Sequence, residues 1–170
     1  DFDKNMNVII GKNDIGKSTI MEALDIFFNN NTKTKIDIDD LNIHSEEPII
    51  EISCLFEDDD TNLIIDSTYS TTLRKEFLLN NDGLLEIKKS WNCSKSKINA
   101  ADLKIYLKAN YPQIGKLPLI NMKRGDLQKL LDKLKDEIDH YDDINKNINS
   151  EIRTSLYNYH ITNNCDFKEV

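Results

Sequence analysis

The sequence holds no apolar run long enough to cross a bilayer, and 31% of its 170 residues are charged, which excludes a transmembrane helix. Its opening, Asp1-Phe2-Asp3-Lys4, has neither a basic n-region nor an apolar h-region, so no secretory signal is visible. An initiator methionine is also missing, and the chain is expected to be a fragment of a longer protein. Cysteine is sparse. Cys54, Cys93 and Cys165 stand far apart in no CxxC arrangement, which reads as reduced thiols in a cytoplasmic protein. His44, His140 and His160 show no ligand spacing with one another or with the cysteines, so no structural metal site is expected. Net positive charge is lacking too. A formal charge of −8 is the wrong sign for a broad phosphate-neutralising surface. Nucleic-acid binding is left to a local basic groove or to a part elsewhere in a longer protein.

What is present, at 39% hydrophobic residues, is enough for one sizeable core, as one domain or one domain with a small lobe. Residues 7–10 read as a short buried strand. Residues 17–28 read as a helix, because Ile20, Leu24, Phe27 and Phe28 recur at helical spacing with Met21 beside them, and the polar residues 29–32 end it. Residues 37–47 are acidic and irregular. Beyond Pro48, Ile50, Ile52, Cys54 and Phe56 alternate with Glu51 and Ser53, the pattern of a half-buried strand over residues 49–56.

Strand-like runs follow at residues 63–69, 72–79 and 84–91, and the last two flank Asn80-Asn81-Asp82-Gly83, a hairpin signal. A fourth run, residues 103–109, alternates until Tyr111-Pro112 stops it. Two helical stripes come next. Leu127, Leu130, Leu131, Leu134 and Ile138 make one; Ile148, Ile152, Leu156 and Tyr159 make the other, with Asn149 or Ser150 near its start. This order predicts a parallel α/β core that is only begun here and is interrupted by an antiparallel sheet.

The chemistry sits in Gly11-Lys12-Asn13-Asp14-Ile15-Gly16-Lys17-Ser18, which fits G-x-x-x-x-G-K-[ST], the phosphate-binding P-loop, with a strand expected before it and a helix after it. Glycines let such a loop wrap a phosphate with its N–H groups pointing inward. The helix N-terminus adds partial positive charge behind the anion. Lys17 is expected to reach the β- and γ-phosphates of ATP, and the Ser18 hydroxyl to ligate Mg²⁺, with Thr19 the next hydroxyl in line. Gly11, Asn13, Asp14, Ile15 and Gly16 complete the expected nucleotide-binding set.

Residues 7–19 followed by Met21-Glu22-Ala23-Leu24 resemble the P-loop of ABC-type ATPases of the RecF/SMC/OLD group, which have Asn at the position of Asn13. Asp25-Ile26-Phe27-Phe28, the acidic Asp39-Asp40 segment, the strand Ile49-Ile50-Glu51-Ile52 and the helix around Asn149-Ser150-Glu151-Ile152-Arg153 are similar to the OLD (overcoming lysogenization defect) branch. The resemblance implies part of a P-loop NTPase head of α/β class. Residues 1–48 would form the core strand–loop–helix, 49–110 an inserted antiparallel β arm and 111–170 a helical segment. It further implies ATP and Mg²⁺ as ligands, head-to-head homodimers, and a Toprim nuclease acting on DNA in phage defence or repair.

Hydrolysis also needs a carboxylate strand for metal and water. Leu63-Ile64-Ile65-Asp66 is the nearest match, but it lacks a second carboxylate, and Asp66 reads better as an exposed strand-end residue. Gln113 is the candidate Q-loop glutamine, with a turn residue the preferred reading. Asp58-Asp59-Asp60 lacks the Gly and closing Glu of a Ca²⁺ loop and reads as a solvated acidic turn. Lys123, Arg124, Lys129, Lys133 and Lys135 alternate with acids and read as an exposed helix face. Asp66-Ser67-Thr68-Tyr69 and Asn145-Lys146-Asn147-Ile148 fail the GTPase motifs. The alternatives to an ATPase are a nucleotide-gated, non-hydrolysing dimerisation or assembly module, or another P-loop nucleotide-binding protein. The resemblance implies that the carboxylate strand, the signature loop and the nuclease lie beyond Val170. Residues 1–170 alone are therefore expected to bind ATP weakly at most and not to hydrolyse it. Mg²⁺-dependent, Lys17-dependent turnover by that fragment would contradict this inventory.

Overall fold

The stripe that begins after Gly16 folds as helix α1, Lys17–Asn29, in the computed structural model, which describes residues 2–3, 5–13, 16–29, 34–66, 69–115 and 117–169. The buried face of α1 is narrower than the spacing predicts. Ile26 and Phe27 are buried, whereas Ile20 and Phe28 are 44% and 59% exposed. The expected stop at Asn29 agrees; residues 30–33 lie outside the described residues. The acidic segment contains one 3-10 turn, Ile38–Asp40, with a capping box in which the Asp37 carboxylate accepts from the Asp39 N–H and Asp40 reaches back to the Asp37 N–H.

Strand β1 spans Ile49–Phe56 with the alternating half-buried and exposed pattern that its sequence dictates. The run 63–69 divides into β2, Leu63–Asp66, and β3, Tyr69–Thr71, paired antiparallel with an irregular register between Ile64 and Asp66. Strand β4 is Leu85–Asn92 and β5 is Leu103–Lys108. Tyr111-Pro112 does not end the strand region: Asn110–Pro112 forms β6. Helix α2 covers Arg124–Lys133, α3 covers Asn149–Thr162, and β7 covers Phe167–Glu169. The sheets are β1–β4–β5, β2–β3 and the antiparallel pair β6–β7.

Two expected strands are absent. Residues 7–10 have no ladder partner among the described residues, and Val8 and Ile10 are 70% and 87% exposed. Apolar β-branched residues extend the chain, but only a neighbouring strand makes that extension a buried strand. Residues 72–79 form turns. Glu76 N–H donates to the Thr72 carbonyl at 3.2 Å, Leu78 N–H to Leu73 at 3.0 Å, and Thr72 Oγ1 accepts from Lys75 N–H at 3.2 Å. The threonine read as β-prone acts here as a local cap. The Asp82-Gly83 turn does form, with Gly83 at φ 75° and its N–H on the Asn80 carbonyl. Asn80 Oδ1 also accepts from the N–H groups of Asp82 and Leu84, so this turn closes without a strand on its first side.

The chain divides into two compact units. The first, Asp1–Ser53 with Lys89–Tyr106, has a core of Ile26, Ile36, Trp91 and Cys93 against Ile50, Ile52 and Leu103. Burial pushes the Cys93 thiol up, consistent with an inert, reduced residue. The second, Cys54–Lys88 with Leu107–Val170, packs α2 on α3 through Leu127, Leu131, Ile152 and Leu156, all fully buried. Each such side chain contributes about 1.5–3 kcal/mol over its exposed state. Helix α2 ends before Ile138, but Ile138 N–H still bonds the Leu134 carbonyl at 3.0 Å and its side chain reaches the same core. Neither Asn149 nor Ser150 caps α3. Its N-cap is Ile148, and the Glu151 carboxylate accepts from Asn145 N–H at 3.0 Å to secure the entry.

A buried ion pair lies beside this core. Arg153 Nε donates to Glu76 Oε2 at 2.7 Å and Nη2 to Oε1 at 2.9 Å, with both side chains 2% exposed. The pair holds the turn 72–79 on α3, and Phe77, at φ 56°, stacks edge-on against Tyr157 at 4.7 Å. Burial, and then the Glu76 carboxylate, push the Tyr157 hydroxyl up. Arg153→Met leaves the Glu76 charge buried and alone, and should cost about 3–5 kcal/mol. Adding Glu76→Leu should recover most of that loss in chemical denaturation; an equally unstable double variant would show that packing, not the charge pair, carries the effect.

Candidate functional site

Gly16 directly precedes α1. Gly16 has φ 84°, in the left-handed region that L side chains rarely adopt, although a Cβ there would meet no atom within 4 Å. The glycine is therefore required by backbone geometry, not by crowding. Its carbonyl accepts the first helical bond, from Ile20 N–H at 3.1 Å. As in any α-helix, the first N–H groups, here those of Lys17, Ser18 and Thr19, have no partner within the helix.

Half-buried Lys17 folds back over the loop. Its ammonium donates to the Gly11 carbonyl at 2.9 Å and to the Lys12 carbonyl. Ser18 and Thr19 are exposed on the first turn, as are Gly11, Lys12 and Asn13 on the loop. Asp14 and Ile15 lie outside the described residues. Lys17 and Ser18 line a cleft of about 600 Å³ together with Phe2, Asn7, Ile9, Met21 and Leu24. Asn7 is held there by Asp3, whose N–H donates to Asn7 Oδ1 while Asn7 Nδ2 donates to the Asp3 carbonyl, each at 2.6 Å. The apolar wall was missed by sequence reasoning, which assigned Ile9 to a strand and Met21 to a helix flank; their closeness in sequence to Lys17 was the available signal. The cleft thus carries the Lys17 side chain and the Ser18 side chain at the N-terminal end of a helix, which is chemistry for an anion and its counter-cation.

The remaining candidates lie elsewhere on the chain. Gln113 is exposed just after β6; its N–H donates to the Asp166 carbonyl at 2.8 Å and its side chain turns back to the Tyr111 carbonyl. Asp66 closes β2, opposite Tyr69. The acidic turn is less solvated than expected, because the Asp58 side chain is only 3% exposed and faces Arg74 at 3.7 Å, while Asp60 accepts from Arg74 Nε at 3.2 Å. The Thr61 hydroxyl and N–H hold the Asp59 carboxyl below its ordinary value. Arg124 is exposed, as its helix face was expected to be, and its guanidinium also donates to the Lys146 carbonyl at 3.2 and 3.1 Å. Among the described residues, no group of three or more His, Cys, Asp or Glu could hold a metal, and no helix is long and apolar enough to cross a membrane.

The profile of the family described as AAA ATPase domain matches residues 1–170. No curated protein and no solved structure matches the chain. The match covers the whole sequence, and the chain belongs to this family of ATP-binding P-loop ATPase domains. Gly16→Val should strain the left-handed backbone and misplace Lys17, costing about 1–2 kcal/mol of local stability. Hydrogen exchange of the first turn of α1 should accelerate in the variant, and unchanged exchange would remove Gly16 from its role.

Proposed function

We propose that residues 11–19 cradle the phosphates of ATP and that the full-length protein is an ATPase coupled to an OLD-like endonuclease acting on DNA. The supporting observation is that Lys17 and Ser18, the first residues of α1, line one cleft, with the Lys17 ammonium lying over the loop on the Gly11 carbonyl. In this reading Lys17 exchanges carbonyl partners for β- and γ-phosphate oxygens, which bind its charge more strongly. Asn13, Asp14, Ile15, Gly16 and Thr19 supply backbone donors around the phosphates. Bound Mg²⁺ would neutralise charge on the phosphate oxygens, and Ser18 is the residue that would hold it. Lys17 is the catalytic residue of the set, because the charge that binds the ground state also stabilises the transferring phosphoryl group.

The DNA target, the nuclease and the head-to-head homodimer rest on the sequence resemblance alone, as does the division into core residues 1–48, β arm 49–110 and helical segment 111–170. Gln113 is retained as a nucleotide-sensing candidate on the same ground. Lys17→Ala in the full-length protein should weaken Mg-ATP binding by about 1.5–3 kcal/mol and abolish turnover without unfolding the chain. Calorimetry that finds the affinity unchanged sinks the phosphate-loop assignment. Wild-type binding that depends on Lys17 but never leads to turnover selects the nucleotide-gated assembly module instead.

A further inference from the structure

Helix α1 is buried mainly toward its C-terminal end. Its first half is open: Thr19 and Glu22 are exposed, and Ile20 and Met21 are 44% and 59% exposed. Its second half is fixed three ways. Ile26 and Phe27 are buried, at 7% and 5% exposure. The Asp25 carboxylate accepts from Thr34 N–H at 3.2 Å. Finally, Lys89, on β4, donates its ammonium to the Phe27 carbonyl at 2.6 Å and lies 5.2 Å from the centre of the Phe27 ring.

Lys89 is 6% exposed. A buried ammonium is costly unless its protons are bonded, and the last carbonyls of a helix are the acceptors that lack partners within it. A cation at that end also matches the negative pole of the helix. Trp91, two residues further on β4, is buried in the same core as Ile26. Lys89 thus joins α1 to a strand that is itself firmly packed.

We propose that Lys89 is a positioning residue for the phosphate loop, holding the far end of the helix that presents Lys17 and Ser18. This rests on the nucleotide reading above. Lys17 and Phe27 are ten residues apart, about 15 Å along the axis, so a tilt of about 4° at the secured end moves the loop by about 1 Å. A displacement of that size is enough to degrade binding and catalytic geometry. No other contact is needed to carry the effect, because a hydrogen-bonded helix transmits it as a rigid body.

The test compares wild type, Lys89→Met and Lys17→Ala in the full-length protein by calorimetry with Mg-ATP, together with amide resonances of Lys17, Ser18 and Thr19. Lys89→Met should weaken binding about five-fold or more and shift those three resonances before any nucleotide is added. A merely local structural role would leave both unchanged, and that result, with Lys17→Ala still defective, overturns the inference while sparing the nucleotide reading. Wild type that binds no nucleotide overturns both. Should Lys89→Met fail to fold, wild type alone decides: coupling is reciprocal, so Mg-ATP should slow hydrogen exchange at Phe27, Phe28 and Asn29. Unaltered exchange there refutes the coupling.

Discussion

The left-handed backbone at Gly16 is the constraint on which the candidate site depends. Gly16, at φ 84°, directly precedes α1, whose first two residues, Lys17 and Ser18, line one cleft. The Lys17 bonds to the Gly11 and Lys12 carbonyls close the loop from the other side. Both bonds are charge-assisted, because the lysine donor is ionised. The loop is therefore held in part by the side chain of the first residue of its own helix.

The second compact unit is organised by a different principle. Its helices meet through fully buried Leu127, Leu131, Ile152 and Leu156, but the turn of residues 72–79 is specified by charge, through Glu76 and Arg153. A buried pair of this kind adds little stability over an apolar substitute, but removing one partner strands the other charge. Phe77, at φ 56°, lies between the buried Glu76 and Leu78.

Local patterns were legible where the elements depend on local spacing. Helix α1, strand β1 and both helical stripes follow from periodicity, and Gly16 and Lys17 from a motif whose residue types have a mechanism. Residues 7–10 and 72–79 were misread because strand identity depends on a partner that no short-range pattern specifies. Val8 and Ile10 carry β-prone side chains but remain exposed without a ladder. Thr72 and Glu76 look β-compatible until the first caps a turn and the second meets Arg153, 77 positions away. The β6–β7 pair was illegible for the same reason, since it joins Tyr111 to Lys168 across the whole helical segment. Lys89 gave no sequence signal at all; its role depends on where a helix carbonyl ends up.

The most direct measurement is the structure of the full-length protein with Mg²⁺ and a non-hydrolysable ATP analogue. The account predicts the β- and γ-phosphates on residues 11–19, with Lys17 Nζ on their oxygens and Ser18 Oγ on the metal. A nucleotide seated elsewhere, with Lys17 still bonded only to the Gly11 and Lys12 carbonyls, would contradict it.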